Sequence, residues 1–222
     1  MFPAMKRIKT VVLGSVAIVG ALAALVVGAW IYVASTVEEP PYSLVAEDGP
    51  IEIRDYPALV LAEVTRRGDR DTAVRAGFGP LARYIFAKDR SGESIAMTAP
   101  VTQTRETSAE PAPETGRTGR SEPGEAWRVR FFMPTGYELE ALPRPADEDV
   151  TLLSVSAGRR AAIRFSGVAT DALLAEKEAV LRAWLAARDL STEGPATYAY
   201  YNDPFTPGPL RRNEVILDIA GS

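Results

Sequence analysis

The chain has 222 residues, of which 46% are hydrophobic and 24% are charged, and its formal net charge is −4. This composition is typical of a globular protein with room for one domain and additional segments. The sequence contains no histidine and no cysteine. These absences exclude disulfides, zinc sites built from imidazole or thiolate, and hydrolytic sites that depend on a catalytic histidine or cysteine.

The N-terminal region contains a long uncharged stretch. Residues 11–33 are 23 consecutive residues without a formal charge, rich in Val, Ala, Leu and Ile. A helix of that length spans the ~30 Å hydrocarbon core of a bilayer. Three basic residues precede the stretch and two acidic residues follow it. The positive-inside rule therefore predicts a single-pass transmembrane anchor, with residues 1–10 in the cytoplasm and the rest of the chain outside it.

A cleavable secretory signal is the alternative interpretation of this stretch. Val27-Gly28-Ala29 has the small residues of a cleavage site, and cleavage there would give a secreted protein. Both interpretations place the globular part outside the cytoplasm. Beyond the three N-terminal basic residues, 22 basic residues stand against 29 acidic ones, a net charge of −7. Nucleic acid is therefore not an expected partner, because phosphate binding needs a basic surface.

Residues 34–41 are predicted to be a solvated linker, and residues 42–222 a single domain. Its first half begins with strands over 42–47 and 50–56 around the turn Asp48-Gly49, followed by a strand over 58–65. An apolar stripe with acidic residues at its start predicts a helix over 71–86: Val74, Phe78, Leu81 and Ile85. Strands over 94–102 and 128–133 are expected to complete this half.

The second half repeats the pattern of the first. Within the first half, between its last two strands, residues 105–126 lack apolar periodicity and are rich in Pro, Gly, Glu, Ser and Thr, which predicts a disordered loop. Strands are expected over 150–156 and 160–165. Thr170 then caps a helix with the stripe Leu173, Leu174, Val180, Leu181, Trp184 and Leu185, and strands over 196–201 and 214–219 follow. The predicted fold is α+β, with duplicated strand-helix-strand-strand units in a mostly antiparallel, distorted barrel-like sheet and two main helices.

Several short motifs lie in a recognisable order along the domain. They are Ile51-Glu52-Ile53-Arg54-Asp55-Tyr56, Gly77-Phe78, Met97-Thr98-Ala99-Pro100-Val101, Phe132-Met133-Pro134, Tyr201-Asn202-Asp203-Pro204 and Arg212-Asn213-Glu214-Val215. Together they resemble the SOUL heme-binding protein family. The resemblance implies a duplicated α/β barrel-like fold related to bacterial effector-binding domains, and non-covalent binding of heme or another porphyrin. Some members of the family are associated with a histidine ligand for the iron, a mode that this chain cannot use.

A porphyrin is a flat apolar disc with two carboxylates, so its site needs an apolar slot and nearby cations. We expect the first helix and the adjacent strand to provide them, through Val74, Arg75, Phe78, Leu81, Ala82, Arg83 and Met97. If iron is coordinated, the candidate donors are Met97, Met133, Tyr84 and the lysines. The alternative is structural, because an apolar helix stripe is usually core and exposed arginines usually pair with nearby acids.

The C-terminal motif also permits two interpretations. Asn202-Asp203-Pro204 is turn chemistry, and Asn213 and Glu214 would then tie the long turn to the last strand. Alternatively Glu214, Tyr200 or Tyr201 faces a central cleft and acts on a small molecule, as in a hydrolase, or binds a cationic group. Another amphipathic small molecule, such as a lipid or a drug-like effector, remains an alternative ligand.

Overall fold

The structure is a computed structural model, and it describes residues 37–106 and 125–221. The chain divides after Val37 into two units, and the second, Glu38–Ser222, contains all the elements below. The predicted membrane segment 11–33 and most of the predicted loop 105–126 lie outside the described residues. Within the described ranges, no helix combines the length and apolarity needed to cross a bilayer.

Nine antiparallel strands form one sheet in the described part of the chain. They are β1 (Ser43–Asp48), β2 (Ile51–Tyr56), β3 (Leu59–Arg67), β4 (Val101–Arg105), β5 (Ala126–Phe132), β6 (Thr151–Val155), β7 (Gly158–Phe165), β8 (Thr192–Tyr200) and β9 (Asn213–Ile219). Their spatial order is β1-β2-β7-β9-β8-β4-β5-β3-β6. Both the antiparallel sheet and the predicted hairpin at Gly49, where φ is +59°, are confirmed.

Apart from the edge strand β1, which has no counterpart, the strand order is symmetric about the contact between β4 and β8. Outward from that contact, one side continues β5, β3, β6 and the other β9, β7, β2. The halves also exchange strands, because β2 of the first half pairs with β7, and β6 of the second half pairs with β3. The two halves are therefore joined by hydrogen bonds at three places in one continuous sheet.

Helix α1 (Arg70–Ile85) covers β3 and β5. It begins where the Asp69 side chain accepts a hydrogen bond from the Thr72 amide, a standard N-cap. Gly77 faces the sheet so closely that a Cβ there would lie 2.8 Å from the Val129 side chain and 3.1 Å from Val64. The helix thus packs directly on the strands, and fully buried Leu81 lies in the core between them.

Helix α2 (Asp171–Ala186) covers β7, β8 and β9 in the same way. The Thr170 hydroxyl accepts a hydrogen bond from the Leu173 amide, so the predicted cap is confirmed. Leu174, Leu181 and Leu185 are buried against the sheet, whereas Val180, predicted to belong to the apolar stripe, is 45% exposed. Each helix therefore buries a core against one face of the sheet, and the exchanged strands β2 and β6 contribute apolar residues to the core of the other half.

Three details of the predicted fold differ from the structure. The sheet is open, with β1 and β6 at its edges; each helix buries the apolar side chains of the strands that it covers, so closure into a barrel is not needed. Of the predicted strand 94–102, only the end from Val101 joins β4, because Pro100 has no amide hydrogen to donate to a ladder. The predicted loop is also shorter at its ends, since Arg105 belongs to β4 and Ala126 to β5.

Candidate ligand-binding cleft

The helix-free face of the sheet carries a cleft. Alternate residues of a strand point to opposite faces, so on β9 Val215 and Leu217 pack under α2 whereas Ile216 and Asp218 face the cleft. Apolar residues from four strands and two prolines line it: Leu59, Leu61, Phe132, Val155, Ile216, Pro40 and Pro100. Its volume is about 100 Å³, which is below the ~300–1,000 Å³ of typical small-molecule sites.

Residues 38–42, which we call the strap, form one wall of the cleft. The Glu38 carbonyl accepts a hydrogen bond from the Ala99 amide at 2.9 Å, and its carboxylate accepts one from the Thr135 amide at 2.6 Å. The Thr135 hydrogen bond lowers the pKa of Glu38. Glu39 pairs with Arg212 at 2.9 Å. The last residues of the predicted solvated linker are thus held against the domain.

Two arginines bring positive charge to the lining. Arg130 on β5 pairs with Glu63, and Arg160 on β7 pairs with Asp218 at 2.7 Å. The guanidinium of Arg160 also lies 5.0 Å from the centre of the Tyr56 ring. Three strands lie between β5 and β7 in the sheet, so the two cations are on opposite sides of the apolar lining.

Glu214 lies beside the cleft and is fully buried. Arg54 donates to both of its carboxylate oxygens, at 2.7 and 3.0 Å, and Arg212 and the Tyr201 hydroxyl donate at 2.9 and 2.8 Å. Burial alone would raise the pKa of this carboxyl, but the hydrogen bonds and charge of Arg54, with the charge of Arg212, lower it to about 2. A carboxylate held so firmly in its charged form is a weak general base near neutral pH. The geometry supports the structural interpretation of Glu214.

The tyrosines near the cleft are held as neutral phenols. Burial raises the pKa of Tyr42, Tyr56 and Tyr201. The nearby negative charge of Glu214 raises the pKa of Tyr201 further. Tyr200 lies on the helix-covered face, where its hydroxyl bonds with Arg70 and Gln103, and burial raises its pKa to about 12. A phenolate ligand for iron would have to overcome these shifts, so the tyrosines are better suited to contact an apolar ring.

The seven residues predicted as the porphyrin site do not line this cleft. Leu81 is in the core, Val74 and Ala82 are half-buried, and Phe78 is 39% exposed and packs edge-to-face with Phe131. Arg75 pairs with Asp71, Arg83 pairs with Asp89 and Asp147, and Met97 is 37% exposed. The structure therefore brings Val74, Phe78 and Leu81 together on α1, where the space towards the sheet is filled by core side chains.

Two other predicted iron donors, Met133 and Tyr84, already make contacts within the core. Met133 is buried under α1, and the Tyr84 hydroxyl donates to the Pro143 carbonyl at 3.0 Å. Burial raises the pKa of Tyr84. The short motifs of the sequence do not point to the cleft residues Leu59, Arg130 and Arg160. The available signal was the alternation along the strands, which assigns Leu59, Arg130 and Arg160 to the face opposite the buried apolar residues.

The order of the motifs agrees with a family model. The model described as SOUL heme-binding protein matches residues 37–218. The chain belongs to this family. Heme-binding protein 2 of Homo sapiens is 31% identical to it over 122 residues, and the Mus musculus protein of the same name is 30% identical over 111 residues. These matches cover 53% and 50% of this chain, and the chain spans about half the length of the curated relatives it matches, 54% and 49%.

Solved structures share the fold of this SOUL domain. An uncharacterised conserved protein from Listeria innocua matches with a TM-score of 0.55 and 13% identity, over 79% of this chain and 94% of that one. The C-terminal domain of EcmrR matches with a TM-score of 0.54 and 9% identity, over 80% and 97% of the respective chains. A protein described as a hydrolase from the same Listeria species has a TM-score of 0.52 and 14% identity, over 79% and 94%. At these identities the likeness concerns the fold alone.

Proposed function

We propose that this SOUL domain binds heme or a related tetrapyrrole non-covalently, in the helix-free cleft. The observation that carries the proposal is the lining itself: an apolar floor from four strands with Arg130 and Arg160 on opposite sides. A tetrapyrrole presents an apolar disc and carboxylates, and guanidinium groups bind carboxylates through paired hydrogen bonds. The names of the curated relatives, heme-binding protein 2, support the same ligand class.

Binding requires the strap to move, because the closed cleft is too small for a porphyrin. The strap contributes Glu39, Pro40 and Tyr42 to the lining. Its Glu39–Arg212 ion pair is partly exposed, with side-chain exposures of 40% and 25%. Partly exposed pairs contribute at most about 1 kcal/mol. Breaking this ion pair is therefore a small part of the cost of displacing the strap, and it would let Arg212, which also bonds to Glu214, reach a ligand carboxylate.

Recognition is proposed to depend on the disc and its carboxylates rather than on the iron. The sequence has no histidine or cysteine, and the cleft tyrosines are held as neutral phenols. We therefore expect hemin and iron-free protoporphyrin IX to bind with affinities within about threefold of each other. Titration followed by tryptophan quenching tests this. A strong preference for hemin would contradict disc recognition, and no binding of either would overturn the proposed ligand class.

The position of the site is tested by filling the cleft. Leu59→Trp places a larger side chain in the lining and should weaken hemin binding at least tenfold, or about 1.4 kcal/mol. Leu44→Trp is the matched control, because Leu44 is 53% exposed on the edge strand β1 and does not line the cleft. Phe78→Asp tests the site predicted on α1. If Phe78→Asp abolishes binding while Leu59→Trp leaves it unchanged, the ligand is on α1, next to Phe78 and Met97.

We also propose that residues 11–33 anchor the domain in a membrane, with the domain outside the cytoplasm. The support is the uncharged length of this segment and the basic residues before it. The full chain should float with lipid vesicles after an alkaline wash, and it should keep its N-terminal residues by intact mass. A mass that corresponds to cleavage after Ala29 would favour a secreted protein. Sedimentation without lipid would contradict the anchor.

A further inference from the structure

Three large apolar side chains are unusually exposed on two neighbouring loops of the domain. Phe205 is 93% exposed, Leu210 is 65% exposed and Val168 is 56% exposed, the highest values for large apolar residues in the described part of the chain. The segments that carry them touch, since the Gly167 amide donates to the Gly208 carbonyl at 3.0 Å. Val168 also lies 3.4 Å from the Cβ position of Gly208. Clustered apolar exposure of this kind is typical of an interaction surface.

The loop that presents Phe205 is held in place by its own side chains. The Asp203 carboxylate accepts hydrogen bonds from the Phe205 and Thr206 amides, at 2.8 and 3.1 Å, and from the Thr206 hydroxyl at 2.9 Å. The Arg211 guanidinium donates to the Thr206 and Pro204 carbonyls, at 2.7 and 2.6 Å. Phe205 therefore extends from a braced loop that keeps its ring away from the core.

The base of the loop lies where the chain enters the domain. The Asn202 side chain accepts a hydrogen bond from the Arg212 amide at 2.6 Å, and the Arg212 guanidinium pairs with Glu39. Four residues, 34–37, lie between Val33, at the end of the uncharged stretch, and Glu38, which makes five residue-to-residue steps. An extended chain covers at most about 18 Å over that interval. A bilayer that holds residues 11–33 is thus within reach of this end of the domain.

We propose that Phe205 and Leu210 insert into the interfacial region of the membrane that holds the anchor. The inference rests on the proposed anchoring of residues 11–33. An electrostatic attachment is disfavoured, because the chain after the anchor has a net charge of −7. Apolar and aromatic side chains on a braced loop instead suit the interface between lipid headgroups and acyl chains. The tether supplies a high local concentration of membrane, so a few apolar contacts are sufficient.

The absence of cysteine gives a direct test in the full chain. Phe205→Cys, and separately Leu210→Cys, is labelled with the fluorophore NBD and reconstituted in phosphatidylcholine and phosphatidylglycerol vesicles. Phe86→Cys and Val180→Cys are matched controls, since these residues are 43% and 45% exposed but lie at the C-terminal end of α1 and on α2. We expect doxyl-labelled lipid to quench the labels at 205 and 210 at least twofold, and to leave those at 86 and 180 unchanged.

Flotation of the same samples separates the two proposals. If the chain floats and the labels at 205 and 210 are quenched no more than the controls, the loop proposal is overturned while the anchor stands. A blue shift at 205 without quenching by doxyl lipid means that protein covers the loop, which also overturns it. If the chain does not float, the anchor fails and the loop proposal fails with it.

Discussion

At the scale of single residues, a buried ion pair joins the first and last parts of the domain. Arg54 on β2 and Glu214 on β9 are both almost fully inaccessible to solvent, and the strand between them is β7. Buried charges are costly to leave without a partner. Glu52 also bonds to Arg54 at 2.6 Å, so the cation would retain one carboxylate if Glu214 were changed.

Glu214→Gln is expected to lower the free energy of unfolding by about 3 kcal/mol, because it leaves Arg54 and Arg212 partly uncompensated. Urea unfolding at pH 7 measures this change. Asp55→Asn is the matched control, since it removes the carboxylate of the solvent-exposed pair with Arg159. It should change stability far less. Equal effects of the two substitutions would show that the buried Glu214 pair contributes no more to stability than the solvent-exposed pair.

The same carboxylate predicts a dependence of stability on pH. The pKa of Glu214 is about 2 in the folded protein, against an ordinary value of 4.5. As the pH falls below 4.5, this carboxyl is therefore protonated in the unfolded state while it is still charged in the folded state. The stabilisation is therefore complete above about pH 4.5 and is lost as the pH falls towards 2. Urea unfolding between pH 2 and 5 should show this loss, and Glu214→Gln should make the slope shallower. An unchanged slope in the variant would contradict the assignment.

At the scale of elements, the contact of α1 with the sheet depends on a glycine. Replacing glycine by alanine inside a helix ordinarily stabilises it by about 1 kcal/mol. At Gly77, however, the added Cβ would collide with Val129. We expect Gly77→Ala to destabilise the domain by about 1–3 kcal/mol, the usual cost of overpacking.

Gly79→Ala is the internal control for this prediction. The nearest atom to a Cβ at Gly79 is the Arg83 side chain at 3.7 Å, so the methyl group has space. Pro80 follows and disfavours the helical conformation for a non-glycine residue, so we expect little net change. Urea unfolding of both variants gives the comparison. A stabilising Gly77→Ala would mean that α1 does not pack as closely as the structure shows.

The strap is a second element with a testable role. Glu39→Gln weakens the pair with Arg212 and should speed hemin association several-fold, because the strap then leaves the cleft more readily. Stopped-flow recording of the Soret band measures the rate. Glu47→Gln on the edge strand β1 removes the same charge from a residue outside the cleft lining and serves as the control. Equal rates in both variants would indicate that the strap does not limit entry.

At the scale of the whole molecule, the boundary of the domain lies earlier than the sequence suggested. The predicted boundary at Tyr42 omits Glu38 and Glu39, which bond to Ala99, Thr135 and Arg212. A chain of residues 38–222 should therefore unfold at a higher urea concentration than one of residues 42–222. Equal midpoints would show that these residues add nothing to the stability of the domain.

Local patterns were sufficient for most of the elements. The hairpin at Gly49, the caps at Asp69 and Thr170 and the α2 core residues Leu174 and Leu181 follow from turn chemistry and periodicity, which act over a few residues. The start of β4 was predicted too early, because the ladder from Val101 depends on β5 and β8, which are distant in sequence. The apolar stripe on α1 correctly predicted a core helix. Periodicity, however, does not distinguish a helix face that packs on strands from one that faces a ligand.

The amino-acid sequence by itself determined the exclusion of histidine and cysteine chemistry, the family and the helix and strand content, because composition, motif order and periodicity are local properties. Only the tertiary structure decided that the cleft lies on the face opposite the helices, and that Arg54 and Arg212 compensate the charge of Glu214. These residues are up to 160 positions apart in the chain. Their meeting depends on the exchange of strands between the halves, a long-range arrangement that no local pattern records.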